Sequence, residues 1–282
     1  MDTYHLGLYE KAMPAELTWK EKFEAAKNSG FDYVEISIDE SEEKLSRLDF
    51  TRDERCTLVH MMEDTGVPIR SMCLSGHRRY PMGSLNKEIR NRSMEIMEKA
   101  IAFAAELGIR IIQLAGYDEY YGESNKKTGE LFARNLEKAV SMAAASGVIL
   151  AFETMETAFM DTVEKAMRYV NLVNNPYLGI YPDIGNLQNA AMLYGRPASE
   201  DIKTGQGHIF AAHLKETTPG NYRNVPFSSG HTDYIGCISQ LKAQNVRLYV
   251  GEFWYNGSPS WMNDLSFAAR FLRSKLNLVW ES

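Results

Sequence analysis

The chain has little cysteine: three residues in 282, at Cys56, Cys73 and Cys237. Their odd number, wide spacing and lack of a CxxC pair exclude a disulfide framework and a structural zinc knuckle, and fit a reducing compartment. No apolar run approaches the roughly 20 residues that span a bilayer. The opening Met1-Asp2-Thr3-Tyr4-His5 has no basic segment leading into an apolar one. No secretion signal is therefore expected, and a cytoplasmic protein is. Basic charge is not in excess either: 31 Lys and Arg against 37 Asp and Glu give a formal net charge of −6. That balance argues against adhesion to nucleic acid or anionic membrane. A GxGxxG after the first strand-like run, frequent in doubly wound dinucleotide folds, is missing. No linker, repeat or low-complexity stretch interrupts the chain, so one domain over residues 1–282 is expected.

What is present is a composition of 44% hydrophobic and 24% charged residues, suited to a globular protein with a sizeable core. Short β-like runs alternate with segments of helical period. The predicted strands are residues 5–9, 33–37, 69–74, 110–114, 148–153, 178–181, 209–213 and 248–252. The predicted helices are residues 18–29, 51–65, 85–107, 128–146, 162–173, 199–203, 234–244 and 261–275. Gly30, Gly66, Gly108 and Gly147 stand where left-handed helix caps are needed. Eight such units predict an α/β protein: a single (β/α)8 TIM barrel with parallel strands, whose chemistry sits at the C-terminal ends of the strands.

Four predicted strands end on residues that bind metals: Glu153, Asp183, His213 and Glu252. Each has an innocent reading alone. Glu153 can cap a helix, Asp183 lies in the turn-like Tyr181-Pro182-Asp183-Ile184-Gly185-Asn186, and a lone histidine is often a bonded core residue. Together, at one end of strands five to eight, they point to a shared site for one divalent metal ion. Three carboxylates with one imidazole suit Mn2+, Mg2+, Co2+ or Zn2+, and the sequence does not choose among them. An ion with open positions can polarise a carbonyl and stabilise an enediolate.

The loops add polar groups. His77-Arg78-Arg79 follows the third strand and suits a phosphate or another anion; a solvated basic loop is the alternative. Lys215 lies two residues past His213, on the same side of an extended chain. Arg223 and Asn224 belong to the loop at 217–230, long enough to act as a lid. Glu156, Asn186 and Asp233 are weaker candidates, with helix capping as their alternative role.

The chain resembles the L-ribulose-5-phosphate 3-epimerases, also described as L-xylulose-5-phosphate 3-epimerases, within the xylose-isomerase-like barrels. The resemblance runs over nearly the whole length. It is carried by Leu6-Gly7-Leu8-Tyr9-Glu10-Lys11-Ala12, Gly30-Phe31-Asp32-Tyr33-Val34-Glu35, Leu45-Ser46-Arg47-Leu48-Asp49 and Met72-Cys73-Leu74-Ser75-Gly76-His77-Arg78-Arg79. Ile112-Gln113-Leu114-Ala115-Gly116-Tyr117-Asp118, the Tyr181–Asn186 segment above and His213-Leu214-Lys215 extend it. It implies metal ligation by Glu153, Asp183, His213 and Glu252, with Glu153 and Glu252 also acting as acid and base on either face of C3 of a small-molecule ketopentose phosphate, through a cis-enediolate. It also implies a role in pentose or ascorbate catabolism and a homodimer. Two departures stand out: Phe227-Ser228-Ser229-Gly230 replaces a Gly-Glu-Gly step, and the stretch from 183 to 213 is long, with 189–197 the expected extra material. Other readings are an epimerase or isomerase of unphosphorylated ketoses, a non-catalytic sugar-phosphate-binding barrel, and a metal nuclease. The last needs more histidine than the six present.

Overall fold

The computed structural model describes residues 4–281; residues 1–3, part of the segment read for a secretion signal, and residue 282 lie outside it. Eight strands and ten α-helices follow in chain order: β1 (His5–Tyr9), α1 (Trp19–Ser29), β2 (Tyr33–Ile38), α2 (Glu42–Ser46), α3 (Arg52–Thr65), β3 (Ile69–Leu74), α4 (Lys87–Leu107), β4 (Ile111–Ala115), α5 (Lys126–Ala145) and β5 (Ile149–Glu153). Then come α6 (Val163–Val173), β6 (Leu178–Tyr181), α7 (Ile184–Tyr194), α8 (Ala198–Lys203), β7 (Ala212–Leu214), α9 (Tyr234–Ala243), β8 (Leu248–Gly251) and α10 (Trp261–Trp280). All strand pairs are parallel, in the order β6-β5-β4-β3-β2-β1-β8-β7. The ring closes between β6 and β7 through isolated bridges, Ile180 to Ile209 and Asp183 to His213.

Parallel strands covered by helices are apolar on both faces, and β2, β4 and β6 are buried throughout. The outward faces pack on the helices in one large core. The inward faces form a second cluster with one residue from each strand or its flank: Tyr9, Tyr33, Cys73, Ile111, Ala151, Tyr181, Ala211 and Val250. Helix starts follow local chemistry. Thr18 and Thr51 cap α1 and α3, each in a reciprocal box with a glutamate three residues on.

Three differences from the sequence reading have physical causes. The segment at 189–197, expected as extra material with no helix assigned to it, is largely helix α7, because Asp183 accepts a hydrogen bond from the Asn186 amide and makes the turn-like segment a helix cap. The seventh strand, expected over 209–213, has a regular ladder only at Ala212–Leu214. Pro182 on the facing strand has no amide hydrogen to continue the ladder, and its carbonyl accepts the His213 N–H at 3.0 Å. The short helix α2, capped by Ser41, is too brief to show a period. Gly179 lets the two edges approach, since a Cβ there would lie 2.4 Å from the His208 carbonyl oxygen.

Candidate active site

The cluster at the C-terminal end of the barrel follows from strand period. Each inward residue is followed two positions later by another inward side chain, one layer higher. Two past Tyr33, Ile111, Ala151, Tyr181, Ala211 and Val250 stand Glu35, Gln113, Glu153, Asp183, His213 and Glu252. Six strands thus raise six polar side chains into one buried layer. Glu153, Asp183, His213 and Glu252 each offer one ligand atom, and all four atoms lie within 4.8 Å of one another.

His213 is held from both sides. Its Nδ1 lies 3.0 Å from Glu153 Oε1 and 3.6 Å from Glu252 Oε2. Its Nε2 lies 2.6 Å from Glu35 Oε1. Glu35 is fully buried, and its other oxygen accepts hydrogen bonds from Ser71 Oγ at 2.7 Å and Tyr181 Oη at 2.9 Å. Gln113 Nε2 donates to Glu153 Oε2. Lys215 places its ammonium 2.6 Å from Asp183 Oδ2 and 3.1 Å from Glu252 Oε2. Asp183 carries two tasks: Oδ1 caps α7, while Oδ2 faces Lys215 without a well-directed hydrogen bond.

The electrostatics are those of crowded carboxylates. Burial and the neighbouring Glu252 raise the Glu153 carboxyl above its usual range. Burial pushes Asp183 up to about 8 against the pull of Lys215, with Glu252 adding to the rise. Burial works against the charge on Glu252 too, but Lys215 and His213 outweigh it and bring that carboxyl down to about 2. Burial alone would lower His213; Glu35, Glu252 and Glu153 overcome it and raise the imidazole well above its ordinary value. Burial and mutual repulsion thus work against full ionisation of the three carboxyls, a cost that a bound cation would relieve, and their oxygens with Nδ1 form a hard donor set. The residues therefore fit a divalent cation: Glu153, Asp183, Glu252 and His213 Nδ1 would hold it, with Nε2–H donating to Glu35.

A cavity of about 70 Å³ opens above this layer, lined among others by Tyr9, Cys73, Glu153, Asn186, Lys215 and Glu252. Arg78, from the loop after β3, and Arg223, from the loop after β7, line it as well. Asn186 donates to the Thr154 carbonyl oxygen at 2.8 Å and leaves its own Oδ1 unpaired. Arg223 lies 3.5 Å from Glu156 and over the Trp254 ring.

Two of the residues expected to bind substrate are not brought to this cavity. His77 is buried behind the loop, with Nε2 3.1 Å from the Ser93 carbonyl oxygen on α4. Arg79 is exposed and pairs with Glu42 at 3.1 Å. The single helical turn at Gly76–Arg78 rotates the three consecutive side chains in different directions, so only Arg78 reaches the cavity. The alternative roles are realised at Asp233, which caps α9, while Glu156 stays at the cavity. Glu35 and Gln113 escaped the sequence reading although a signal existed, a charged or amide residue inside an otherwise apolar strand. Lys11, Tyr222 and Trp254 also line the cavity, and no residue pattern marks them.

A parallel barrel with a buried four-residue ligand cluster at its C-terminal mouth defines a class. The chain belongs to the xylose isomerase-like TIM barrel family, whose model matches residues 23–275. Within that class it belongs with the L-ribulose-5-phosphate 3-epimerases. It is 46% identical over 250 residues to the L-ribulose-5-phosphate 3-epimerase UlaE of Escherichia coli O139:H28 (strain E24377A / ETEC), covering 88% of this chain and 87% of that protein. The UlaE of Shigella sonnei (strain Ss046) matches with the same identity and coverage. The fold is also that of the D-psicose 3-epimerase from Clostridium cellulolyticum H10, with a TM-score of 0.80 at 14% identity over 96% of this chain and 99% of that one.

Proposed function

We propose that the protein interconverts L-xylulose 5-phosphate and L-ribulose 5-phosphate by inverting C3, in pentose or ascorbate catabolism. The observation that carries this reading is the convergence of Glu153 and Glu252 on one four-ligand cluster, in a chain 46% identical to 3-epimerases. Glu153, Asp183, His213 and Glu252 would hold one divalent ion (Mn2+, Mg2+, Co2+ or Zn2+), which when bound would supply Lewis-acid polarisation of the ketose carbonyl. Glu153 and Glu252 enter from strands five and eight, three places apart around the ring. One carboxylate removes the C3 proton to give the cis-enediolate, and the other delivers a proton to the opposite face of C3. No net proton or electron is consumed, so no redox cofactor is needed. Lys215 keeps a positive charge beside Asp183 and Glu252, and Asn186, Arg78 and Arg223 face the substrate. Trp254 and Tyr222 complete the wall of the cavity.

The same reading takes the chain as one domain in the cytoplasm, acting as a homodimer on a small molecule and on neither nucleic acid nor membrane. Three free cysteines support a reducing compartment. Among the described residues no helix is long and apolar enough to cross a membrane.

The test is exchange of the C3 proton with solvent deuterium. Wild-type enzyme exchanges it, and Glu153→Gln and Glu252→Gln each lose epimerisation by roughly 100-fold or more, the scale of a removed acid or base. Full epimerisation in either variant refutes the two-base mechanism. Equal turnover of L-ribulose and L-ribulose 5-phosphate would sink the phosphorylated substrate.

A further inference from the structure

One buried acid beside the site takes no part in the ligand cluster. Glu216 directly follows Lys215, so its side chain leaves the chain on the opposite side, and it lines a neighbouring cavity instead. It is only 4% exposed, and among the described residues no cation pairs with it. A buried carboxylate without a cation is costly unless its lone pairs are filled. Backbone amides fill them. Oε1 accepts from the Thr232 N–H at 3.1 Å and from the adjoining Thr217 N–H at 3.3 Å; Oε2 accepts from the Ser228 N–H at 3.2 Å.

These amides belong to the two ends of the loop after β7, so one carboxylate staples the loop's departure to its return. The fit is tight. Gly230 lies in the pinch, where a Cβ would come 2.1 Å from the Thr217 carbonyl oxygen and 2.5 Å from Glu216 Oε1. Ser228, whose amide Oε2 takes, holds a left-handed backbone with φ 74°, a conformation that a serine keeps only when its surroundings enforce it. Between the stapled ends stand Tyr222 and Arg223, which line the active-site cavity. Arg223 reaches Glu156 on the loop after β5 at 3.5 Å and lies over the Trp254 ring.

We propose that Glu216 is a positioning residue of the active site: it touches neither the substrate nor the ligand cluster, and it acts by fixing the loop after β7 so that Tyr222 and Arg223 complete the cavity. The Phe227-Ser228-Ser229-Gly230 step, one of the two departures in the sequence, is the part of the loop that the carboxylate grips. The inference rests on the epimerase reading above and adds to it a residue outside the cavity.

The experiment compares wild type with Glu216→Gln, which keeps the volume but only one acceptor oxygen. With that oxygen serving Thr217 and Thr232, the new NH2 meets the Ser228 N–H donor to donor, and that bond is lost. Amide exchange at Ser228 then speeds up by about 10-fold or more. KM for L-ribulose 5-phosphate rises about 10–100-fold, because only molecules with the loop in place bind productively, while kcat changes by less than about threefold. Gly230→Ala, which leaves Glu216 intact and wedges the staple open, gives the same split. In a chain already carrying Tyr222→Ala and Arg223→Ala, Glu216→Gln raises KM by less than about twofold, since it acts through those two residues. Ser229→Ala, on the exposed side of the same loop, moves neither KM nor exchange. An unchanged KM in Glu216→Gln, or an effect that adds in full to the double variant, overturns the inference while the epimerase reading stands. A wild type that epimerises no ketopentose phosphate overturns that reading, and this role of Glu216 with it.

Discussion

Replacing Glu10 with glutamine tests how the rim of the cavity is held. Glu10 follows β1 and is almost wholly buried, yet it gathers three cations. Its Oε1 accepts from Lys22 at 2.9 Å and Lys44 at 2.8 Å; its Oε2 accepts from Arg47 at 2.7 Å and from the Ser37 amide at 2.9 Å. Burial penalises the carboxylate, but Arg47, Lys22 and Lys44 outweigh it and hold the group far below the usual carboxylate range. Glutamine keeps the volume and removes the charge, leaving Lys22 and Lys44 buried beside a group that cannot neutralise them. Breaking a buried ion pair in this way costs about 3–5 kcal/mol. With an unfolding entropy of about 2 cal/mol/K per residue, that becomes a drop in melting temperature of about 5–8 °C. Thermal and urea unfolding of Glu10→Gln measure it. The sign with pH is also fixed. The stability Glu10 contributes is present above its unfolded pKa and is lost as pH falls toward its depressed folded value, so the gap between wild type and variant narrows in acid. A loss below about 1 kcal/mol at neutral pH, in the range of an exposed pair, would refute the argument that the cluster depends on its single anion.

Two further outcomes follow from the buried groups. Glu35→Leu leaves His213 Nε2 without its acceptor, and affinity for Mn2+ or Co2+, read by competition with a chelator, falls about 10–100-fold; unchanged affinity would remove Glu35 from the site. His77, which burial lowers to about 4, contributes stability that is whole above its unfolded pKa of 6.5 and is lost as pH falls through that window. The full shift is worth about 3 kcal/mol, so His77→Gln should flatten the acid limb of stability against pH between about 6.5 and 4. An identical limb in the variant would assign that slope to other groups.

The fold was legible in the sequence because helix and strand periods alternate cleanly and glycine marks the ends of α1, α3 and α4. The four residues of the candidate metal cluster were legible because each closes an apolar run. Glu35 and Gln113 left only the weaker mark of a polar residue inside an apolar strand, which gains meaning once the closed ring shows that the residue two positions earlier points inward. Arg78 and Arg79 could not be told apart, because the single helical turn that separates them leaves no mark in so short a basic run. Helix α7 was missed for a related reason: Asp183 reads as a turn residue or a candidate metal ligand, and in the fold its side chain also caps the helix.

The barrel's seam gives Asp183 and His213 one more meaning. Seven of the eight strand junctions are ladders, one of them with a register shift at Val34–Glu35; the eighth, between β6 and β7, is joined by two bridges, one of which is Asp183 to His213. The least regular junction of the ring is thus where two members of the candidate site, Asp183 and His213, face each other. A parting of the cylinder at that join would open the ring and separate these two side chains in a single event. Amide exchange at His213, whose N–H donates across the join to the Pro182 carbonyl beside the bonds at Ile180 and Phe210, would report that parting.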